Sequence, residues 1–330
     1  MAIEFFPDRI EINQYTLKVY ADGLEFDGEI AATEFVQVDP PAQVFQGTVS
    51  GYSSGGFAPA IPERTTKIDK FPFATDANAT DVGDLTQARD QLTGQSSGEN
   101  GYTSGGGVPL RVNTIDKFPF ATDANATDVG DLTQARERSA GQSSTENGYN
   151  SGGDAPPRVN TIDKFPFAAD ANATDVGDLT QTRDSVAGQS STERGYSSGG
   201  DAPPRITTID KFPFATDTNA TDVGDLTQAR ERSTGQSSSE NGYNSGGFAP
   251  PNVNTIDKFP FATDTNATDV GDLTLARYSA AGQSSTESGY TSGGNIGGDT
   301  IDKFPFATDA NATDVGDLTQ ARSSPAGQQY

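Results

Sequence analysis

The chain has no cysteine, no histidine and no tryptophan, and a single methionine in 330 residues. Without cysteine there is no disulfide, thiolate zinc site or iron–sulfur cluster. Without histidine there is no Ser–His–Asp triad, no Cys–His pair and no imidazole-bound metal. Positive charge is scarce as well: 22 Lys and Arg stand against 46 Asp and Glu, a formal charge of −24. Nucleic-acid affinity comes largely from cations displacing counterions, so no nucleic-acid partner is expected. No stretch of about 18 apolar residues is present, so no membrane span is expected either. What remains is a binding or structural protein, or an enzyme restricted to carboxylate chemistry.

Only 32% of residues are hydrophobic, and Gly (37) and Pro (19) are frequent. Composition of this kind suits disorder or low complexity, but a long internal repeat argues for a fold. IDKFPFA recurs with its first Phe at Phe71, Phe118, Phe165, Phe212, Phe259 and Phe304. GYxSGG recurs at Tyr52, Tyr102, Tyr149, Tyr196, Tyr243 and Tyr290, and NATDVGDLTxxR ends at Arg89, Arg136, Arg183, Arg230, Arg277 and Arg322. The dominant step is 47 residues, the length of one four-stranded propeller blade or one α-solenoid unit. Helices are excluded by the Gly and Pro content and by the lack of apolar residues at helical spacing.

Strands fit instead. One unit reads as Ala140–Thr145, Gly148–Gly153, Asn160–Ala168 and Asp175–Thr180, separated by turn residues. In the third strand Ile162 and the pair Phe165/Phe167 fall on opposite sides of the pleat. A strand apolar on both faces is expected between two layers, as a blade is between its neighbours.

Arg136, Tyr149, Gly152, Gly153, Phe165 and Leu179 stand in an order that resembles the kelch repeat of β-propellers. The resemblance covers residues 48–330. It departs from the kelch pattern in the reduced run before the double glycine, in the Phe at 165 and in Val176, which stands where kelch units carry Trp. It implies an all-β fold of four-stranded blades. Ring closure supports the same architecture. The last unit stops at Tyr330, after its first strand, and the missing piece stands at the other end as Thr48–Gly56. We therefore expect a six-bladed β-propeller over 45–330, with one blade built from 48–88 plus 322–330. Closure of this kind removes the open sheet edge.

The loops between third and fourth strands carry Asp76, Asp81 and Asp84 and their equivalents, expected together on one rim. The opposite face carries the differences between units, at Gly107–Val112, Asp154–Val159, Asp201–Ile206 and Phe248–Val253, with Glu137-Arg138 and Asp184-Ser185. Binding residues gather on loops held by a rigid scaffold. Arg111, Arg158, Arg205, Asn252, Arg138 and Arg232 are therefore the candidate ligand residues. Asp76, Asn78 and Thr80 place oxygens at alternate positions, as calcium loops do, but the positions of an EF-hand Gly and Glu are Asp81 and Gln87. A turn capped by its own Asx side chains is the preferred reading, with calcium as the only cofactor considered. Arg89 and its equivalents read as interblade ion pairs rather than as a cationic ring around the channel, and the six tyrosines as packing. No carboxylate pair stands apart from the repeat as a glycosidase pair would, so no enzyme is expected.

Residues 1–44 lie outside the repeat and alternate apolar and polar at Ile3–Phe6, Arg9–Asn13, Tyr15–Tyr20, Leu24–Phe26 and Glu34–Val38. They read as a small N-terminal β module, too short to bury much alone, and hence as an assembly anchor. They lack the basic and apolar regions of a signal peptide. The string DxNATDVGDLTxxR…GQSS…GYxSGG resembles kelch-like repeats in structural proteins of bacteriophages of aquatic bacteria. That resemblance implies a virion protein, with residues 1–44 bound to other virion proteins and the propeller facing a host-surface glycan or protein. The competing readings are a cytoplasmic scaffold, in which the propeller holds a protein partner and the N-terminal strands pair into a homo-oligomer, and a secreted lectin.

Overall fold

The computed structural model describes residues 3–6, 9–12, 15–20, 23–26, 46–60 and 63–330, in two compact units, 1–42 and 43–330. In the first unit Ile3–Phe6, Arg9–Ile12, Tyr15–Tyr20 and Gly23–Phe26 pair antiparallel in chain order. The fifth strand expected there, 34–38, lies outside the described residues.

The second unit is a ring of six four-stranded antiparallel blades. Blade 3 shows the pattern: inner strand Ala140–Ser143, then Asn147–Ser151, Thr161–Pro166 and outer strand Thr174–Asp178. Blades 2, 4, 5 and 6 begin at Thr93, Ala187, Thr234 and Ala281. Blade 1 is composite. Ala326–Gln329 pairs with Ser50–Ser54, which pairs with Lys67–Pro72 and that with Thr80–Asp84. The ring is closed as the strand arithmetic requires.

Each blade hides apolar side chains on both faces. Tyr149, Ile162 and Leu179 of blade 3 and its exit pack against Phe212 and Ala220 of blade 4, while Phe165 packs with Tyr102, Ile115 and Leu132 on the side of blade 2. The Tyr149 ring stacks on Phe214 at 4.8 Å. These five- to eight-residue clusters are the apolar core, repeated between neighbouring blades. Burial pushes the phenols of Tyr102, Tyr149, Tyr196 and Tyr243 up to about 12. In an unfolded chain they ionise near 10, so stability is complete below about pH 10 and falls as pH rises toward 12. No histidine or cysteine titrates between about pH 6 and 9. Thermal melts by circular dichroism are expected to give a nearly constant Tm from about pH 7 to 9 and a steep fall above 10. A Tm unchanged up to about pH 12 would contradict the burial of these rings.

The inner third of the ring is polar. Gln142 Nε2 donates to Ser151 Oγ at 2.9 Å, to the Tyr196 carbonyl at 2.9 Å and to Ser197 Oγ at 3.0 Å in the next blade. Inner strands touch through glycine. A Cβ on Gly188 would lie 2.1 Å from the Gly141 carbonyl oxygen, and each of the other five inner glycines meets its neighbour the same way at 2.0–2.2 Å. Gly152 and Gly153 have φ of +65° and +113°, a region that favours glycine. That turn lets the Gly153 amide donate to the Arg183 carbonyl at 2.8 Å.

The repeated acids are not gathered on one rim, contrary to the sequence expectation. Asp76 lies in the loop before the outer strand, and Asp81 and Asp84 lie within it, Asp84 at its far end. Five strand residues at about 3.3 Å each separate the two faces, so the charge runs along the outer edge of every blade. Acids there discourage edge-to-edge pairing.

Candidate functional site

Arg136 leaves the outer strand of blade 2 on its way to blade 3 and is wholly buried, as are its five equivalents. Its Nη2 lies 2.7 Å from Asp163 Oδ2 and donates to the Asn150 carbonyl at 3.1 Å. Asp163 also accepts from the Thr133 amide at 2.9 Å and the Thr133 hydroxyl at 2.7 Å. Burial pulls the guanidinium below its ordinary pKa, and Asp163 opposes that shift. The same pair occurs in every blade, so the repeated arginines fasten each crossover to the next blade and do not line the channel.

The face carrying the crossovers and the second-to-third-strand loops holds the residues that differ. Arg111 of blade 2 reaches Asp154 Oδ2 of blade 3 at 2.5 Å and Glu137 Oε1 of the crossover at 3.4 Å. Arg158 pairs with Asp184 and, at 2.6 Å, with Asp201. Arg205 reaches Glu231 at 2.9 Å and lies over the Phe248 ring at 4.6 Å. Arg64 holds Asp90 at 2.7 Å. Three of the candidate arginines thus act as clamps between neighbouring blades. Burial raises the Glu137 carboxyl above its ordinary range, with Arg111 and Arg138 opposing.

The pattern breaks at blade 5. There Asn252 replaces the arginine, bridging to Phe248 through the backbone, and Tyr278 replaces the acid. Phe248 and Tyr278 meet edge to face at 5.6 Å, and the Arg232 guanidinium lies 5.6 Å from the Tyr278 ring centre. Leu275, three residues before Tyr278, is 41% exposed, and Ile296, next to the Asn295 whose amide donates to the Tyr278 carbonyl, is 48% exposed. Phe248 stood within the variable loops, but its pairing with Tyr278 did not show, because it joins side chains 30 residues apart. The signal was present: position 278 is acidic in the units of Asp90, Glu137, Asp184 and Glu231.

Arg138 and Arg232 line the mouth of the central channel, a cavity of about 160 Å³, with Gln91, Ser185, Ser279 and Ser324 at the equivalent positions. All six have φ between 54° and 60°, and their backbones form a closed ring. Arg138 N donates to Gln91 O, Ser185 N to Arg138 O, Arg232 N to Ser185 O, and so on around through Ser324 to Gln91. At the other end of the channel Gln46 Nε2 donates to the Ser237 carbonyl at 3.1 Å and Gly47 N to the Ser284 carbonyl at 2.8 Å.

The residues considered for calcium lie on the opposite face. Asp76 Oδ1 accepts from Lys303 Nζ at 3.0 Å, Asn78 Oδ1 accepts from the Asp317 amide at 3.1 Å, and Thr80 Oγ1 donates to the Lys70 carbonyl at 3.5 Å. Each serves the adjacent blade or its own hairpin. Among the described residues the carboxylates of Asp184, Asp201 and Glu231 come within 4.8 Å of one another, the two aspartates held by Arg158 and the glutamate by Arg205. Among the described residues no helix is long and apolar enough to cross a membrane. No protein-family model matches the chain, and no curated protein matches it.

Proposed function

We propose that the chain is a non-enzymatic structural protein of a phage virion, a tail or capsid appendage whose propeller contacts a host-surface glycan. Residues 1–44 attach it to the particle. The observation that carries the binding role is the division of labour within the repeat. Side chains common to all units are consumed by architecture: Arg136 by Asp163, Tyr149 by Phe214, Gln142 by its serines. The largest differences between units collect on one face, around the channel mouth and the Phe248–Tyr278 contact. Aromatic rings beside guanidinium groups suit the apolar faces and hydroxyls of a saccharide. The virion assignment rests on the likeness of the repeat string to phage structural proteins.

Two measurements test this. The full chain is expected to bind members of an immobilised panel of neutral and acidic saccharides, and binding to none would remove the adhesive role. Antibody to the propeller is expected to label the tail or capsid of purified particles, and unlabelled particles would remove the virion role.

A further inference from the structure

Among the described residues of the propeller, Arg138, Arg194 and Arg232 are the cationic side chains with no carboxylate in ion-pair contact; the others there each hold an Asp or Glu. In a chain of charge −24, an arginine left without an acid is conspicuous, and two of the three line one cavity. The Arg138 Nε donates to Gln91 Oε1, which leaves its Nη groups without a partner in the ring. The Arg232 Nε and the Ser233 hydroxyl are both buried and without a hydrogen-bond partner. Ser233 is only 9% exposed and also lines the cavity. An unsatisfied buried donor is costly, and the backbone amides of the mouth are already used by their ring.

The acids nearest in sequence make their ion-pair contacts elsewhere, although Glu137 feels the charge of Arg138. Glu137 turns to Arg111, Asp184 to Arg158 and Glu231 to Arg205. The six mouth positions themselves carry Gln, Arg, Ser, Arg, Ser and Ser. The two guanidinium groups stand two blades apart across a polar cavity floored by the inner glycines.

We infer that the channel mouth is an oxyanion site, in which Arg138, Arg232 and the Ser233 hydroxyl hold the carboxylate, sulfate or phosphate of a ligand's head group. Guanidinium groups form strong charge-assisted bonds to such oxygens. A cavity of about 160 Å³ is small beside the roughly 300–1,000 Å³ of drug-sized pockets, so it admits a head group while the rest of the ligand lies over the face. The inference rests on the ligand-binding reading of this face and narrows it to acidic saccharides.

Serine already occupies three equivalent mouth positions, so Arg138→Ser and Arg232→Ser keep the backbone chemistry of the ring. The full chain, both single variants and the double variant that combines them are titrated by calorimetry with inorganic sulfate, methyl glucuronide and methyl glucoside, their folding checked by thermal melts. The glucuronide is expected to bind, the glucoside not, and each substitution to weaken binding by roughly tenfold. Sulfate binding as well would show that the oxyanion alone suffices; glucuronide without sulfate would show that the sugar is also read. Anion binding undiminished in the double variant, or absent from the native chain, overturns the site. If the chain binds neutral saccharides equally with and without the arginines, the adhesive reading stands and the oxyanion site falls.

Discussion

Asp163→Ala is expected to destabilise the propeller by about 3–5 kcal/mol, the cost of leaving one wholly buried guanidinium without its counter-charge. The Arg136 Nη2 would lose its carboxylate at 2.7 Å, and the Thr133 amide and hydroxyl would lose their acceptor. Asp163→Asn is expected to be nearly as damaging. An amide could keep the hydrogen bonds, its oxygen toward the Thr133 amide and Arg136 and its NH2 toward the Thr133 hydroxyl, which can accept, but the buried guanidinium would still lose its counter-charge. Urea denaturation of the two variants checks this. A loss below about 1 kcal/mol, the range of exposed pairs, would mean that the pair is solvated.

Gly188→Ala is the second large effect. Its Cβ would sit 2.1 Å from the Gly141 carbonyl oxygen and 2.9 Å from its carbon. Both are backbone atoms of a paired strand, so no rotamer change relieves the contact. Any outward shift is passed to the next blade, because all six inner strands meet through the same glycines. The expected loss is at or above the roughly 1–3 kcal/mol of ordinary overpacking. Gly98→Ala is the control: a Cβ there meets nothing within 4 Å, and its effect should stay within about 0.5 kcal/mol. Equal effects at the two sites would contradict the packing of the inner ring.

Much of this architecture was legible in the residues. The three-residue offset between Ile162 and Phe165 placed them on opposite faces, and each indeed packs toward a different blade. The broken last unit and the spare Thr48–Gly56 piece foretold the composite blade. A sixfold arginine in an acidic chain pointed to sixfold ion pairs. The polar centre was harder to read, because GQSS looks like loop composition; its Gln is buried only because six inner strands converge. The interblade clamps were hidden by their spacing. Arg205 and Glu231 are 26 residues apart, and Arg111 and Asp154 are 43 apart. Such partners become neighbours only once consecutive blades are stacked. The acids of the outer strand were misplaced because a loop motif was taken to end where the strand had already begun.

The central claim is that the two ends of the propeller sequence meet in one blade, which fixes the ring and with it the channel mouth. Native-state hydrogen exchange tests it most directly. The Tyr330 amide donates to the Ser50 carbonyl at 2.9 Å and the Gln329 amide to Ser96 Oγ at 3.0 Å, within a strand paired to Ser50–Ser54. Amides of Ala326–Tyr330 are therefore expected to be as protected as those of Ala187–Ser190, the corresponding inner strand of blade 4. Exchange at the rate of a frayed chain end in 326–330, with 187–190 still protected, would contradict closure.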